Sequence, residues 1–199
     1  NIFYYKNIAL CLESFCVFDI IKAEESMNEV IKCLTERKSC KRFLSKQIKK
    51  RDLDLILKAG TFAPCGKGMQ SPIILVLQDK EKIKKLSALN AKILGANVDP
   101  FYNAPTVLIV MADKRIWTYV EDGSLVMGNL MNAAYSLGIG SCWIHRAKEE
   151  FETEEGKALL KEWGVDENYV GIGHCVLGYP DGELHPPIKR KADYIRYVK

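Results

Sequence analysis

The residues best equipped for chemistry in this chain are cations and glycines, not acids or nucleophiles. Arg37-Lys38-Ser39-Cys40-Lys41 places three cations and a hydroxyl within five residues. An arginine fork and a short serine donor suit a phosphate monoester dianion. The same run also reads as the basic end of a helix, where cations favour the C-terminal dipole. Near the C-terminus stands Lys189-Arg190-Lys191, preceded by Pro186-Pro187. Prolines keep the chain extended, so Lys189 and Lys191 are predicted to point to one side and Arg190 to the other. Two such cations could close a phosphate site from far away in sequence; plain charged surface is the alternative. Between these runs, the Pro64–Gln70 loop holds glycines that let backbone N–H groups approach a planar or anionic ligand. It has neither the dinucleotide G-x-G-x-x-G pattern nor Walker spacing. Gly138 to Arg146 reads as a strand that ends in the polar pair His145-Arg146.

Other chemistries lack their parts. His145, His174 and His185 have no metal-ligand spacing, so no metal site is expected. No G-x-S-x-G occurs, and seven cysteines leave no single Cys/His pair to choose. His174 lies within a strand pattern and reads as a hydrogen-bonded core histidine. Anion-binding parts without an evident acid, base or nucleophile are what a cofactor-driven reaction leaves in a sequence.

The composition bounds the setting. The chain has 199 residues, 48% hydrophobic and 27% charged, which argues for one folded domain and against disorder. Its net charge of +4 suits a small anion and does not argue for nucleic acid. Cys11, Cys16, Cys33, Cys40, Cys65, Cys142 and Cys175 show no C-x-x-C pair, so reduced core thiols and a cytoplasmic location are expected. No run of about 18 apolar residues exists to span a membrane. The apolar stretch Ile8 to Ile21 carries Glu13 and Asp19, against a signal peptide.

The elements that must position these residues follow from periodicity. Residues 1–26 read as an N-terminal extension or arm, either an addition or a natural packing segment, ahead of a domain over 27–199. Ser26-Met27-Asn28-Glu29 fits a capping box, followed by Met27, Val30, Ile31 and Leu34 at helical spacing. Further helices are predicted over Asp52 to Phe62, Asp79 to Asn90, Glu121 to Leu137 and Thr153 to Trp163. Strands are predicted over Ile73 to Leu77, Thr106 to Ala112, Ile139 to Ile144, Tyr169 to Gly178 and Tyr194 to Val198, the first two buried on both faces. Such alternation gives α/β or α+β in one domain.

Taken together, these motifs resemble the nitroreductase family of FMN-dependent oxidoreductases in its compact form. Glu36 to Phe43 is similar to that family's Arg-Arg-Ser-x-Arg-x-Phe phosphate motif. Ala63 to Gln70 is similar to its Ala-Pro-Ser-x-x-Asn-x-Gln loop, and Asn129 to Trp143 to its central helix, turn and strand. Gly171 to Pro180 with Lys189-x-Lys191 resembles its last core strand and C-terminal clamp. Several positions depart from the pattern. Cys65 replaces the usual Ser, Gly68 stands where Asn is common, Ser71-Pro72-Ile73 replaces a Pro-Trp pair, and His145-Arg146 stands where Glu or Gly is frequent.

The resemblance implies an α+β fold, a mostly antiparallel central sheet flanked by helices, in a homodimer with an exchanged C-terminal strand. It implies FMN at the subunit interface. Arg37, Lys38, Ser39 and Lys41 would hold the phosphate, joined by Lys189 and Lys191. Pro64, Cys65 and Gly66 would come from the partner chain, with Gln70 behind them. The backbone N–H groups of His145 and Arg146 would face the flavin edge at N5 and O4, and Asn97 would lie near the ring. The implied activity is hydride transfer from NAD(P)H through the flavin to a nitroaromatic, quinone or related acceptor, by a ping-pong mechanism. A reductase with one physiological substrate, a flavin-binding or sensing protein with little turnover, and a nucleic-acid accessory protein are the alternatives.

Overall fold

The computed structural model describes residues 28–184 and 188–198. It divides into two units, residues 1–36 and 37–199. The predicted arm over 1–26, along with Ser26, Met27 and His185, lies outside the described residues.

The first unit contributes helix α1, Glu29–Glu36. Its start is capped by Asn28, whose Oδ1 accepts from the Ile31 N–H at 2.9 Å. An Asn side chain fills the cap role there.

In the second unit the described strands are β1 (Pro72–Leu77), β2 (Thr106–Asp113), β3 (Gly140–Ile144) and β4 (Tyr169–Gly178). They form one sheet in the order β1-β2-β4-β3, with every neighbouring pair antiparallel. Helices α2 (Lys50–Thr61), α3 (Lys80–Leu94), α4 (Tyr119–Ser136), α5 (Ala147–Glu152) and α6 (Glu154–Glu162) flank it. The sequence periodicity located each of these except α5, whose six residues are too few to show a 3.6-residue repeat. Among the described residues no helix is long and apolar enough to cross a membrane.

Two cores form because successive strand residues face opposite sides. Val107, Ile109 and Met111 of β2 pack with Ile83 and Leu86 of α3 and with Phe151 of α5. Leu108 and Val110 pack with Ile56 of α2 and with Met127 and Leu130 of α4. Burial of all eight β2 residues matches the continuous apolar run. β1 differs from expectation: it is the edge strand, largely half-buried, because nothing among the described residues pairs with its outer side. Tyr194 to Val198, expected as a strand, is irregular here, with Tyr197 and Val198 87% and 98% exposed. A strand needs a neighbour to satisfy its ladder, and the described residues offer that segment none.

Candidate functional site

A strap, residues 37–44, positions the basic motif. The Cys40 N–H donates to the Ser141 carbonyl at 2.8 Å and the Leu44 N–H to the Tyr179 carbonyl at 2.9 Å. The strap is thereby stitched to the start of β3 and the chain leaving β4. Cys40 is fully buried against Gly140, where an added Cβ would lie 2.7 Å from the Cys40 Cβ and Sγ. With Cys40 turned inward, its neighbours turn outward.

They turn into a cleft of about 480 Å³ lined by Arg37, Lys38, Ser39, Lys41 and Arg42, by Asp181, Glu183 and Leu184, and by Ile188 and Arg190. Five cations against two carboxylates leave this wall positive. The two basic runs, about 150 residues apart in sequence, therefore meet. Alternation along the C-terminal run puts Ile188 and Arg190, rather than Lys189 and Lys191, on the cleft wall. Lys191 instead approaches Asp193 at 4.0 Å and the Tyr194 ring at 5.7 Å. A one-residue register difference in an extended chain exchanges its two sides, so the prolines predicted the alternation but not its phase.

Arg37 carries the most telling atom. Its Nη1 is buried and has no hydrogen-bond partner among the described residues. A buried guanidinium nitrogen without a partner costs free energy. The guanidinium fork of such a residue matches the oxygens of a phosphate or a carboxylate. Behind it, Ser39 hydrogen-bonds the Cys142 thiol, and burial pushes that thiol up. Cys175 is pushed up to about 12 by burial. Burial also raises the Cys40 thiol. These three thiols are protonated core residues, not nucleophiles.

The glycine loop lies outside this cleft: none of Pro64, Cys65, Gly66 and Gln70 lines it. Lys67, Gly68 and Gln70 adopt positive φ of 51°, 67° and 49°. The loop is tied to α4 by Asp122, which accepts from the Gly66 N–H at 2.8 Å, the Ser71 hydroxyl at 2.7 Å and the Thr118 hydroxyl at 3.1 Å. Burial pushes this carboxyl up, but the bonds from Gly66, Ser71 and Thr118 outweigh it and hold it below the usual range. Asp122 had a sequence signal, because it continues the apolar i, i+4 stripe of Val126, Leu130 and Ala134. A carboxylate on a buried stripe demands partners.

His145 and Arg146 form the turn between β3 and α5, Arg146 with a left-handed φ of 78°. No acceptor among the described residues takes the His145 or Arg146 N–H. Asn97 sits in the exposed turn after α3 and lines no part of the basic cleft.

The nitroreductase family's sequence profile matches residues 34–98 and 90–179. An Archaeoglobus fulgidus protein named "Putative NADH dehydrogenase/NAD(P)H nitroreductase" is 34% identical over 162 residues, 79% of this chain and 88% of that protein. The crystal structure of a Bacteroides fragilis nitroreductase with bound FMN superposes with a TM-score of 0.81 at 29% identity, covering 87% of this chain and 100% of its own. One from Desulfitobacterium hafniense, also with bound FMN, gives 0.78 at 26% identity with the same coverage of both chains. Agreement of sequence and fold along most of each chain makes this protein a member of the nitroreductase family.

Proposed function

We propose that this chain is an FMN-dependent NAD(P)H oxidoreductase that works as a homodimer. The observation that carries the reading is the cleft that gathers Arg37 with four further cations, drawn from the two ends of the chain. Both the Bacteroides and the Desulfitobacterium crystal structures hold FMN, and the name of the Archaeoglobus relative points to NAD(P)H.

When bound, FMN would supply the redox chemistry, hydride transfer between NAD(P)H and a nitroaromatic, quinone or similar acceptor in two half-reactions. The chain's own part is to bind and to aim. Arg37, Lys38, Ser39, Lys41 and Arg190 hold the phosphate, and Arg42 adds charge to the same wall. Lys189 and Lys191, expected as the clamp, contribute field rather than contact. His145 and Arg146 offer two unpaired N–H groups to the edge of the ring. Pro64, Cys65, Gly66 and Gln70 reach the site from a second copy, since they lie outside this chain's own cleft. Asn97 borders the ring from the α3 turn.

A second copy also accounts for the unpaired strand edges. A groove of about 330 Å³ runs along β1, lined by Ile74 to Leu77, Lys82, Ile109 and Trp163. The exposed Tyr194 to Val198 segment of the partner is the strand that would complete it.

The test is titration of flavin-free protein with FMN and with riboflavin, followed by turnover with NAD(P)H and a nitro or quinone acceptor. Tight FMN binding, riboflavin at least about 100-fold weaker, and steady NAD(P)H oxidation are expected. Equal affinity for FMN and riboflavin overturns the phosphate assignment. Bound flavin without turnover overturns the enzyme reading and leaves a flavin-binding protein.

A further inference from the structure

We propose that Asn90 is a positioning residue that locks the His145–Arg146 turn in the conformation presenting its N–H groups to the flavin edge. This rests on the function proposed above and assigns a role to a residue of α3 outside the basic cleft.

Asn90 is fully buried on the inner stripe of α3 with Ile83, Leu86 and Ser87. Its Nδ2 donates to the His145 carbonyl at 2.9 Å. Its Oδ1 accepts from the Arg146 Nε at 3.0 Å. One amide thus grips the backbone of one turn residue and the side chain of the next. Only a side chain with a donor and an acceptor side by side can do both. The turn needs such a grip, because Arg146 sits at a φ of 78°. A residue with a Cβ stays in that region only when its surroundings over-determine it.

The opposite flank is closed as well. The Glu150 N–H donates to the Arg146 carbonyl at 2.8 Å. The buried Glu150 carboxylate meets the buried His174 ring of β4. Gly171 of β4 lies so close that an added Cβ would stand 2.4 Å from the Ala147 carbonyl oxygen. The turn is therefore held from β4 on one side and from α3 on the other. What it leaves unpaired among the described residues is the pair of N–H groups at His145 and Arg146. A donor pair fixed before the ligand arrives costs no reorganisation on binding.

The substitutions grade the effect. Asn90→Leu keeps the branched shape, at a larger volume, and removes both bonds; Asn90→Ala removes them without added bulk. Asn90→Asp keeps the acceptor for Arg146 but sets a carboxylate oxygen against the His145 carbonyl. Arg146→Met removes one arm at a half-buried position, so it serves if a core variant does not fold. Asn90→Leu combined with Arg146→Gly restores the turn by another route, since glycine takes a positive φ without help.

Two readouts decide the matter. Hydrogen exchange at residues 145–147 in the flavin-free chain is expected to quicken about tenfold or more in Asn90→Leu, and to recover in the Gly double variant. In the loaded protein, affinity for FMN and for riboflavin is expected to fall together by about tenfold, and the flavin midpoint potential to shift. Unchanged exchange overturns the lock. Faster exchange with an unchanged potential and affinity leaves Asn90 merely structural and overturns the positioning role. A wild-type chain that binds no FMN overturns the proposed function and the flavin-facing half of this proposal, and the exchange measurement then decides the lock by itself.

Discussion

Arg37 and Asp122 are buried polar groups in opposite conditions, one short of a partner and one fully supplied. Arg37→Ala should weaken FMN binding about 10- to 150-fold, the loss of a charge-assisted hydrogen bond of about 1.5–3 kcal/mol. The melting temperature of the flavin-free variant should hold or rise, because an unsatisfied buried nitrogen goes with the side chain. Flavin titration and thermal melting check the two halves separately. Asp122 acts the other way. Its folded-state pKa lies below the ordinary value of about 3.9, so its contribution is complete above that pH and is lost as pH falls through the lower folded value. Asp122→Asn should cost about 1–3 kcal/mol, constant from pH 5 to 8, with the gap to wild type closing in acid below about pH 4. Denaturant melts across that range measure it.

At the scale of elements, the strap over 37–44 sits on β3 through a contact too close for a side chain at position 140. Gly140→Ala should push Cys40, and with it Arg37 to Lys41, off the sheet. The expected cost is about 1–3 kcal/mol of stability and a larger relative loss of FMN than of riboflavin affinity. Paired thermal melts and flavin titrations read both. A variant that melts lower yet binds FMN as wild type does would detach the strap's seat from phosphate binding. The helices show the same logic from inside. Asn90 and Asp122 each occupy a place on an apolar stripe where a leucine would be ordinary, and each spends its polar atoms on a loop at the edge of the sheet.

For the whole molecule, the proposed homodimer would join three features of the described residues: an open β1 edge, a C-terminal segment without a ladder partner, and a glycine loop outside the cleft. Sedimentation or light scattering should give twice 22.5 kDa. Deleting residues 194–198 should shift that mass toward the monomer and lower FMN affinity at least about tenfold at micromolar protein, because half of each site then dissociates. A truncated chain that stays dimeric and keeps its flavin would refute the exchanged strand.

Local pattern was enough for much of this. Runs such as Thr106 to Ala112 and stripes such as Val126, Leu130 and Ala134 marked the strands and long helices, because burial imposes its period directly on residue type. The positive charge of residues 37–41 was legible for a similar reason: clustered charge is a property of neighbours in sequence. What waited on tertiary structure was everything decided by register or by distance along the chain. Which of Lys189, Arg190 and Lys191 meets the strap depends on the phase of an extended segment, and a one-residue slip reverses it. That Asn90 grips His145 and Arg146, and Asp122 grips Gly66, depends on packing that joins residues some 55 positions apart, which no local pattern encodes.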